Sequence, residues 1–388
     1  DKAQHAWTSP LILGMFGLSA VGLVLFVLAE RRAAAPILPL HLFRIRIFTL
    51  TSLIGVSVGA TLFAAVFFLS LYLVNVLGVS ATQAGVTLIP MTLSMVFCSI
   101  LSSQIVQRTG RYKPAILAGM VVMVAALCWL TTLTTTTSLW MVRLRMIALG
   151  IGLGPTMPLL NLAMQNAVPR HDVGAATASR QFFQQMGQVV GSAIFGVVLT
   201  ASLTAALTAN LAPVQAQLPP ALAAAFDPST LRNGVSASAE GAVGDAADPA
   251  ASITKAIADE FAARRELLTS ALRDGDPLAI AALADNPQTP AELKELLAAA
   301  GALPPEAREQ ALAGALASLD EAEARATAEG QAIGEQVSQA IKRSFTDSVT
   351  SIYRYAIVLA VFGLLLACFI PELPLDRGHR SEQPVMME

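Results

Sequence analysis

Acidic residues are missing from most of this 388-residue chain. No aspartate or glutamate lies between Glu30 and Asp172, and none lies between Asp172 and Asp227. Charged residues make up 13% of the sequence, whereas soluble domains carry about 25%. A water-exposed surface of such length would need carboxylates to stay in solution. These segments are therefore predicted to face lipid or other helices.

Motifs for catalysis and metal binding are also missing. The sequence has no phosphate-binding loop, no glycine-rich dinucleotide turn, no paired-histidine metal helix and no Gly-x-Ser-x-Gly. Its four histidines are scattered, and its three cysteines lie in apolar runs without disulfide or metal spacing. We predict that the protein is not an enzyme, needs no metal or cofactor and binds no nucleic acid. An intramembrane enzyme is a weaker alternative that no residue set supports.

The chain does contain seven apolar runs, each long enough to cross a bilayer as a helix. They are predicted at Pro10–Leu28, Phe48–Leu73, Gly85–Ile105, Pro114–Leu133, Leu139–Ala163, Met186–Leu203 and Ile352–Ile370. The predicted fold class is an all-α integral membrane protein with seven transmembrane helices and a helical insertion. The predicted domains are a linker helix at 1–34, five spans at 35–204, the insertion at 205–348, a last span at 349–371 and a tail at 372–388.

Basic residues mark one end of the spans. The loops after the first, third and fifth spans carry Arg31, Arg32, Arg44, Arg46, Arg108, Arg111, Lys113, Arg170, His171 and Arg180. The protein is predicted to lie in the plasma membrane. The positive-inside rule then places these loops and the tail on the cytoplasmic side and the insertion on the outer side. Aromatic residues that favour the membrane interface fall at the predicted outer ends: Trp7, Tyr72, Trp129, Trp140, Tyr353 and Tyr355.

The insertion differs from the spans in composition. Residues 227–347 hold 20 of the 27 acidic and 10 of the 25 basic residues, and the segment is rich in alanine. Two apolar stripes at helical spacing run through it: Ile253, Ile257, Phe261, Leu268 and Leu272, then Ile333, Val337, Ile341, Phe345 and Val349. Arg232–Pro249 is predicted to be a flexible loop. We interpret the insertion as a solvated helical block, with binding of an envelope partner as the alternative.

The few polar residues inside the spans are the candidate functional residues. Arg143 and Arg145 lie two positions apart near the outer end of the fifth span, so they point in different directions. Arg145 is predicted to face inward, and snorkelling of the side chain to the interface is the alternative for both. One face of the sixth span carries Gln181, Gln184, Gln185 and Gln188. Such a stripe can line a wet path, although the first three can also lie among cytoplasmic headgroups.

Glycine and proline are concentrated in the fifth and sixth spans. The residues are Gly150, Gly152, Gly154, Pro155 and Pro158 in the fifth span and Gly187 and Gly191 in the sixth. Small residues let helix backbones approach closely, and glycine with proline lets a transporter helix bend. These positions are predicted to serve helix packing or a hinge.

Several segments resemble major facilitator superfamily permeases, and more narrowly their 14-helix drug:proton antiporter branch. The stretch GIGLGPTMPLLNLAMQNAVPRHDVGAATASRQFFQQMGQVVGSAIFGVVL is similar to two adjacent spans of their C-terminal half. PILPLHLFRIRIF resembles the connection into the C-terminal bundle. SSQIVQRTGRYKP resembles the degenerate second copy of the superfamily's cytoplasmic loop motif, in which Arg108, Gly110 and Arg111 match. Ser103 and Gln107 replace the first glycine and the aspartate of that motif.

The resemblance implies a linker helix plus one six-helix bundle, the C-terminal half of a secondary transporter. It implies proton-coupled efflux of drugs or amphiphilic metabolites by alternating access, in contact with membrane lipid. The implied substrate path comprises Arg145, Asn161, Gln184 and Gln188, and the cytoplasmic gate loop comprises Arg108, Gly110 and Arg111. Because no carboxylate lies in mid-membrane, the proton carrier is expected in a missing N-terminal half. The alternative is a non-transporting membrane protein whose outer block binds a partner.

Overall fold

The structure is a computed structural model that describes residues 9–32, 40–215, 249–274, 276–284, 294 and 304–373. Those residues form nine α-helices and no β-strand. The helices are α1 Pro10–Arg32, α2 Arg46–Asn75, α3 Ala81–Thr109, α4 Lys113–Leu130, α5 Leu139–Gln165, α6 Val173–Gln215, α7 Pro249–Thr269, α8 Pro277–Ala284 and α9 Pro305–Cys368. Short helical turns form at Leu40–Arg44, Arg170–Asp172 and Ser270–Asp274. The predicted flexible loop, except for Pro249, and the tail beyond residue 373 lie outside the described residues.

Seven helices, α1 to α6 and α9, are long and apolar enough to cross a membrane. The predicted all-α class with seven spans is therefore confirmed. Two of these helices are much longer than their apolar runs, since α6 has 43 residues and α9 has 64. The sequence that flanks both runs is rich in alanine, the strongest helix former, so the helix continues where the apolar run stops.

Local capping residues fix several helix ends. The hydroxyl of Ser80 accepts a hydrogen bond from the Gln83 amide at 3.2 Å and starts α3. Gly110 ends α3 in the left-handed conformation, with φ of 72°, which glycine adopts without steric cost. Ser138 caps α5 by accepting from the Met141 amide at 3.4 Å. The connections on both sides of α4 therefore have defined boundaries.

The chain divides into two compact units. The first contains residues 1–202 and 345–388, and the second contains residues 203–344. The first boundary lies close to position 205, where the sequence predicted the insertion to start. Helices α6 and α9 each contribute residues to both units.

The first unit is the membrane bundle, and α1 stands apart from its core. Among the α1 side chains that the structure describes, only Glu30 is buried. By contrast α2 buries residues along its whole length, from Ile47 to Leu73. Hydroxyls inside α2 donate to backbone carbonyls four residues earlier, as Thr51 does to Ile47 at 2.8 Å. Such bonds satisfy polar groups without water, which suits a helix in lipid.

The second unit has a hydrophobic core of its own. It is formed by Leu268, Ala271, Leu272, Ala279, Leu283 and Leu312. Arg265 of α7 forms ion pairs with Asp320 and Glu323 of α9, at 2.9 Å to Glu323. Both predicted apolar stripes are confirmed as buried or half-buried along their full lengths.

Candidate functional site

A polar cluster lies between α5 and α6. The guanidinium of Arg180 on α6 donates through Nε to Oδ1 of Asn161 on α5 at 2.5 Å. Its NH1 donates to Oε1 of Gln184, one turn further along α6, at 3.4 Å. Arg180 is 2% exposed, and among the described residues no carboxylate forms an ion pair with it. Two neutral amides thus hold a buried cation, and their free donors and acceptors could hold a polar or anionic group of a ligand.

The position of Arg180 corrects an expectation. Arg170, His171 and Arg180 were all predicted to lie in the cytoplasmic loop after the fifth span, but only Arg170 and His171 are exposed. The reason is that α6 begins at Val173, well before its apolar run at Met186. Two helical turns separate Arg180 from the connection, on the face of α6 that meets Asn161.

Two glycines on α2 let α6 approach this cluster. A Cβ at Gly55 would lie 3.7 Å from the Arg180 carbonyl oxygen, which is an ordinary contact distance. A Cβ at Gly59 would collide with the carbonyl oxygen of Gln184. Sequence reasoning missed this pair, although the spacing Gly55-Val-Ser-Val-Gly59 is the same small-residue pattern that drew attention to α6.

The glutamine stripe of α6 divides into two edges. Gln184 and Gln188 are half-buried, whereas Gln181 and Gln185 are exposed. The first pair lies on the side of α6 that packs against α2, and Gln188 continues the line of the Arg180 cluster by one turn. The structure therefore joins two predicted path residues, Asn161 and Gln184, through Arg180, and Gln188 lies one turn further along α6.

Arg145 lies elsewhere in the bundle. It is about 24 Å from Asn161 along α5, near the start of that helix. Its NH2 donates to the carbonyl oxygen and the hydroxyl of Thr132 at 3.3 and 3.0 Å, and its guanidinium carbon lies 5.8 Å from the centre of the Trp129 ring. Arg145 is 5% exposed and so faces inward, while Arg143 is half-buried. The predicted path thus falls into two separate clusters.

Two of the tyrosines predicted at the outer ends of the spans are enclosed by protein. Tyr72 and Tyr353 are both fully buried. The Tyr72 hydroxyl donates to the Thr134 carbonyl at 2.6 Å, which gives a buried phenol the partner that water supplies at an interface. Trp129, Trp140 and Tyr355 are exposed, and Trp7 lies outside the described residues.

The glycines of α5 point at two different neighbours. Gly150 and Gly154 face α3, where a Cβ at Gly154 would lie 2.6 Å from the Met95 carbonyl oxygen. Gly152 faces α4, where a Cβ would lie 2.5 Å from the Met123 amide nitrogen. Pro155 and Pro158 lie inside the same unbroken helix.

Glycines of α6 face α2 in the same way. A Cβ at Gly187 would collide with the backbone of Val56, and one at Gly191 would lie 2.8 Å from Ala60. Side chains larger than hydrogen have no room at these contacts.

The connection between α3 and α4 holds the predicted gate residues. Arg108 and Arg111 are exposed, and Gly110 forms the turn between them. The next residue, Tyr112, is fully buried and was missed by sequence reasoning. Its hydroxyl donates to the Pro371 carbonyl at 3.0 Å and accepts from the Leu373 amide at 2.9 Å. Burial raises the pKa of Tyr112 above its ordinary value, so the phenol stays a donor.

The connections before α2 and after α5 meet at one end of the bundle. His41 Nε2 lies 2.9 Å from Oδ2 of Asp172, and His171 Nε2 lies 3.3 Å from the same oxygen. Leu42, which follows His41 in the chain, and Phe48 form a buried apolar cluster with Met164, Val168 and Ala176. Loops that the sequence grouped by positive charge are therefore neighbours in the fold.

Comparison with known proteins identifies the membrane part. Residues 3–192 match the family model of the Major Facilitator Superfamily. The multidrug transporter protein MdtP of Bacillus subtilis is 39% identical over 184 residues, which are 47% of this chain and 34% of that protein. A tetracycline resistance determinant of Streptomyces rimosus is 34% identical over 182 residues, 47% of this chain and 52% of that protein. An uncharacterised MFS-type transporter of Mycobacterium tuberculosis is 36% identical over 183 residues, 47% of this chain and 27% of that protein.

The matches cover between about a quarter and a half of the length of these relatives. The family match ends at residue 192, within α6, so it includes α1 to α5 and the Asn161, Arg180 and Gln184 cluster. The seven apolar helices, the paired-glycine contacts between them and the family match all indicate a multi-pass membrane protein. Through these residues the chain belongs to the Major Facilitator Superfamily.

Proposed function

We propose that the chain forms the C-terminal half of a secondary transporter that exports drugs or amphiphilic metabolites in exchange for protons. The superfamily match and the multidrug and tetracycline-resistance relatives support export of small molecules. The short coverage of these relatives supports a missing half, and the resemblance of the loops supports the 14-helix branch. Alternating access then rocks this bundle against the N-terminal one.

The observation that carries this proposal is the buried cation between α5 and α6. A charge inside a membrane bundle is costly unless it is paired, and Arg180 has only neutral amides as its described partners. Intramembrane charges of this kind mark substrate or ion pathways. In the proposed transporter Arg180, Asn161 and Gln184 bind the polar end of the substrate, and Gln188 extends the path. Arg145 would line its far end.

The same proposal fixes the orientation and the partners. The basic connections before α2, between α3 and α4 and between α5 and α6 lie in the cytoplasm, and residues 205–348 lie outside. Arg108, Gly110 and Arg111 belong to the cytoplasmic gate.

The protein contacts lipid, protons and an amphiphilic substrate. In this proposal the coding sequence upstream of Asp1 encodes about seven further spans with an intramembrane carboxylate. A soluble domain there would contradict the proposal.

Arg180→Met in the complete transporter tests the role of the buried cation. Efflux of an anionic dye from vesicles under a pH gradient should fall by at least about tenfold, because the charge-assisted hydrogen bonds from the guanidinium to the dye are lost. The unfolding temperature should change little, because removing a buried charge offsets the lost bonds. Arg170→Met, at an exposed position in the α5–α6 connection, is the matched control and should export normally. Normal efflux in Arg180→Met would remove this cluster from the path.

A further inference from the structure

The turn that precedes α2 is held against the start of α6. His41 Nε2 in this turn lies 2.9 Å from Oδ2 of Asp172, the residue immediately before α6. Two positions later in the turn, the centre of the Phe43 ring lies 5.7 Å from that of Phe183 on α6, edge to face. The hydroxyl of Thr49 on α2 donates to the Phe43 carbonyl at 2.9 Å. Exposed side chains of the turn and of the start of α6 therefore belong to one surface.

This surface presents aromatic rings and amides to its surroundings. Phe43 is 37% exposed and Phe182 is 47% exposed. Both rings lie against the half-buried Phe183, with a centre-to-centre distance of 5.5 Å for Phe182. Gln181 and Gln185 are exposed and lie within about 100° of Phe182 around the axis of α6. None of these exposed side chains has a part in the proposed substrate path.

Arg44 and Arg46 give the same surface its positive charge. Both are exposed, and neither forms an ion pair with a residue that the structure describes. The carboxylate of Asp172 is already contacted by two histidine nitrogens, at 2.9 and 3.3 Å. Glu30, the other carboxylate of residues 2–226, is buried. The two arginines therefore lie beside exposed rings without an acidic partner.

Arginines beside exposed rings at the end of a membrane bundle match the chemistry of an anionic phospholipid. A guanidinium binds phosphate oxygens through paired, charge-assisted hydrogen bonds. Phenylalanine on the apolar face of a membrane-bound helix enters the boundary between headgroups and acyl chains. Basic residues next to a span attract anionic lipids. A soluble anion would use the arginines alone, whereas a phospholipid would also contact the rings.

We propose that Arg44 and Arg46 bind the phosphate of an anionic phospholipid, and that Phe43 and Phe182 contact its acyl chains. The amides of Gln181 and Gln185 would donate to the ester oxygens of the lipid. The bound lipid would bridge the turn before α2 and the start of α6. This site goes beyond the transport proposal and does not depend on it.

Lipid titration followed by native mass spectrometry tests the site. The purified full chain in a neutral detergent should bind phosphatidylglycerol at least about tenfold more tightly than phosphatidylcholine with the same acyl chains. Arg44→Gln combined with Arg46→Gln should weaken phosphatidylglycerol binding by at least about tenfold, since each basic residue contributes to the attraction. Arg108→Gln combined with Arg111→Gln removes the same charge from exposed positions of the α3–α4 connection. This control should stay within about twofold of the parent.

Equal losses in the two double variants would overturn the site, because binding would then depend on net charge alone. Both replace exposed side chains, so parent-like unfolding temperatures check that they fold. Phe182→Ala should weaken phosphatidylglycerol binding by about threefold, because the acyl chains lose an apolar contact. An unchanged affinity in Phe182→Ala would also overturn the proposal. Millimolar inorganic phosphate should not displace the lipid, and displacement would show a site for soluble anions instead.

Equal binding of phosphatidylglycerol and phosphatidylcholine by the parent would contradict the role of the two arginines in selecting an anionic headgroup.

Discussion

Tyr112 joins the α3–α4 connection to the residues that follow α9. Its hydroxyl both donates to Pro371 and accepts from Leu373, so one side chain satisfies two backbone groups more than 250 positions away. The donated bond requires a neutral phenol. Burial is the main cause that raises its pKa above 10.0, since it disfavours the phenolate.

Tyr112→Phe should lower the free energy of unfolding by about 1–3 kcal/mol at neutral pH, because the Leu373 amide loses its acceptor. The raised pKa also predicts a pH dependence. Above pH 10.0 the unfolded chain releases this proton while the folded chain keeps it, so the parent loses stability as pH rises toward the folded pKa. Thermal unfolding across this range should bring parent and variant closer together. Tyr355→Phe, at a 56% exposed position, is the control without effect.

At the residue scale, sequence patterns predicted which residues share a helix face, but they did not predict which residues of other helices contact each side chain. The spacing of Gln181 to Gln188 predicted a shared face, and the structure adds that only Gln184 and Gln188 are half-buried. Arg180 was assigned to the surface because a basic residue close to a loop follows the positive-inside rule. Its actual partner, Asn161, lies on another helix, and a single sequence does not reveal such a pairing.

The contact between α2 and α6 is the element on which the Arg180 cluster depends. Gly187 and Gly191 of α6 lie against Val56 and Ala60 of α2, while Gly59 of α2 lies against Gln184. Because the two backbones are in contact, any separation of α6 from α2 would also displace the Arg180 cluster, which includes Gln184 of α6. Lipid gives no hydrophobic drive for helices to associate, so close packing of this kind stabilises the pair.

Gly191→Ala should destabilise the bundle by about 1–3 kcal/mol, because its Cβ would lie 2.8 Å from Ala60 and the helices must separate. Gly187→Ala should act in the same direction. Gly196→Ala on the same helix has open space around its Cβ and should be neutral or stabilising by up to about 1 kcal/mol, from helix propensity alone. Thermal unfolding in detergent measures all three. Equal effects at positions 191 and 196 would contradict the packing role.

At the element scale, hydropathy predicted which segments form spans, because an apolar run of sufficient length has one stable state in lipid. It did not predict the lengths of α6 and α9, since their alanine-rich flanks are helical without being apolar. The GxxxG of α6 was visible in the sequence. Its partner surface on α2 was not, because neighbouring spans in the fold need not be neighbours in the sequence.

Charge separates the molecule into two parts. Acidic residues are concentrated at 227–347, largely within the compact unit that contains residues 203–344. That unit has its own apolar core and its own ion pairs, so it does not resemble a lipid-facing segment. In the sequence preceding it, Glu30 and Asp172 are the only carboxylates after Asp1. Composition alone thus predicted two solvents, although not the α7–α9 pairing within the second unit.

In the proposed transporter, the proton-coupling residue should therefore lie in the missing N-terminal half. Asp172 accepts from or pairs with His41 at the end of the bundle, and Glu30 lies at the end of α1, so neither lies midway along a span. Asp172→Asn and Glu30→Gln in the complete transporter should each keep the ratio of protons to dye within about twofold of the parent. Proton movement can be followed with a pH-sensitive dye trapped in vesicles. Loss of coupling in either variant would place the proton carrier in this half, because transport without proton movement requires that the titrating carboxylate itself has been removed.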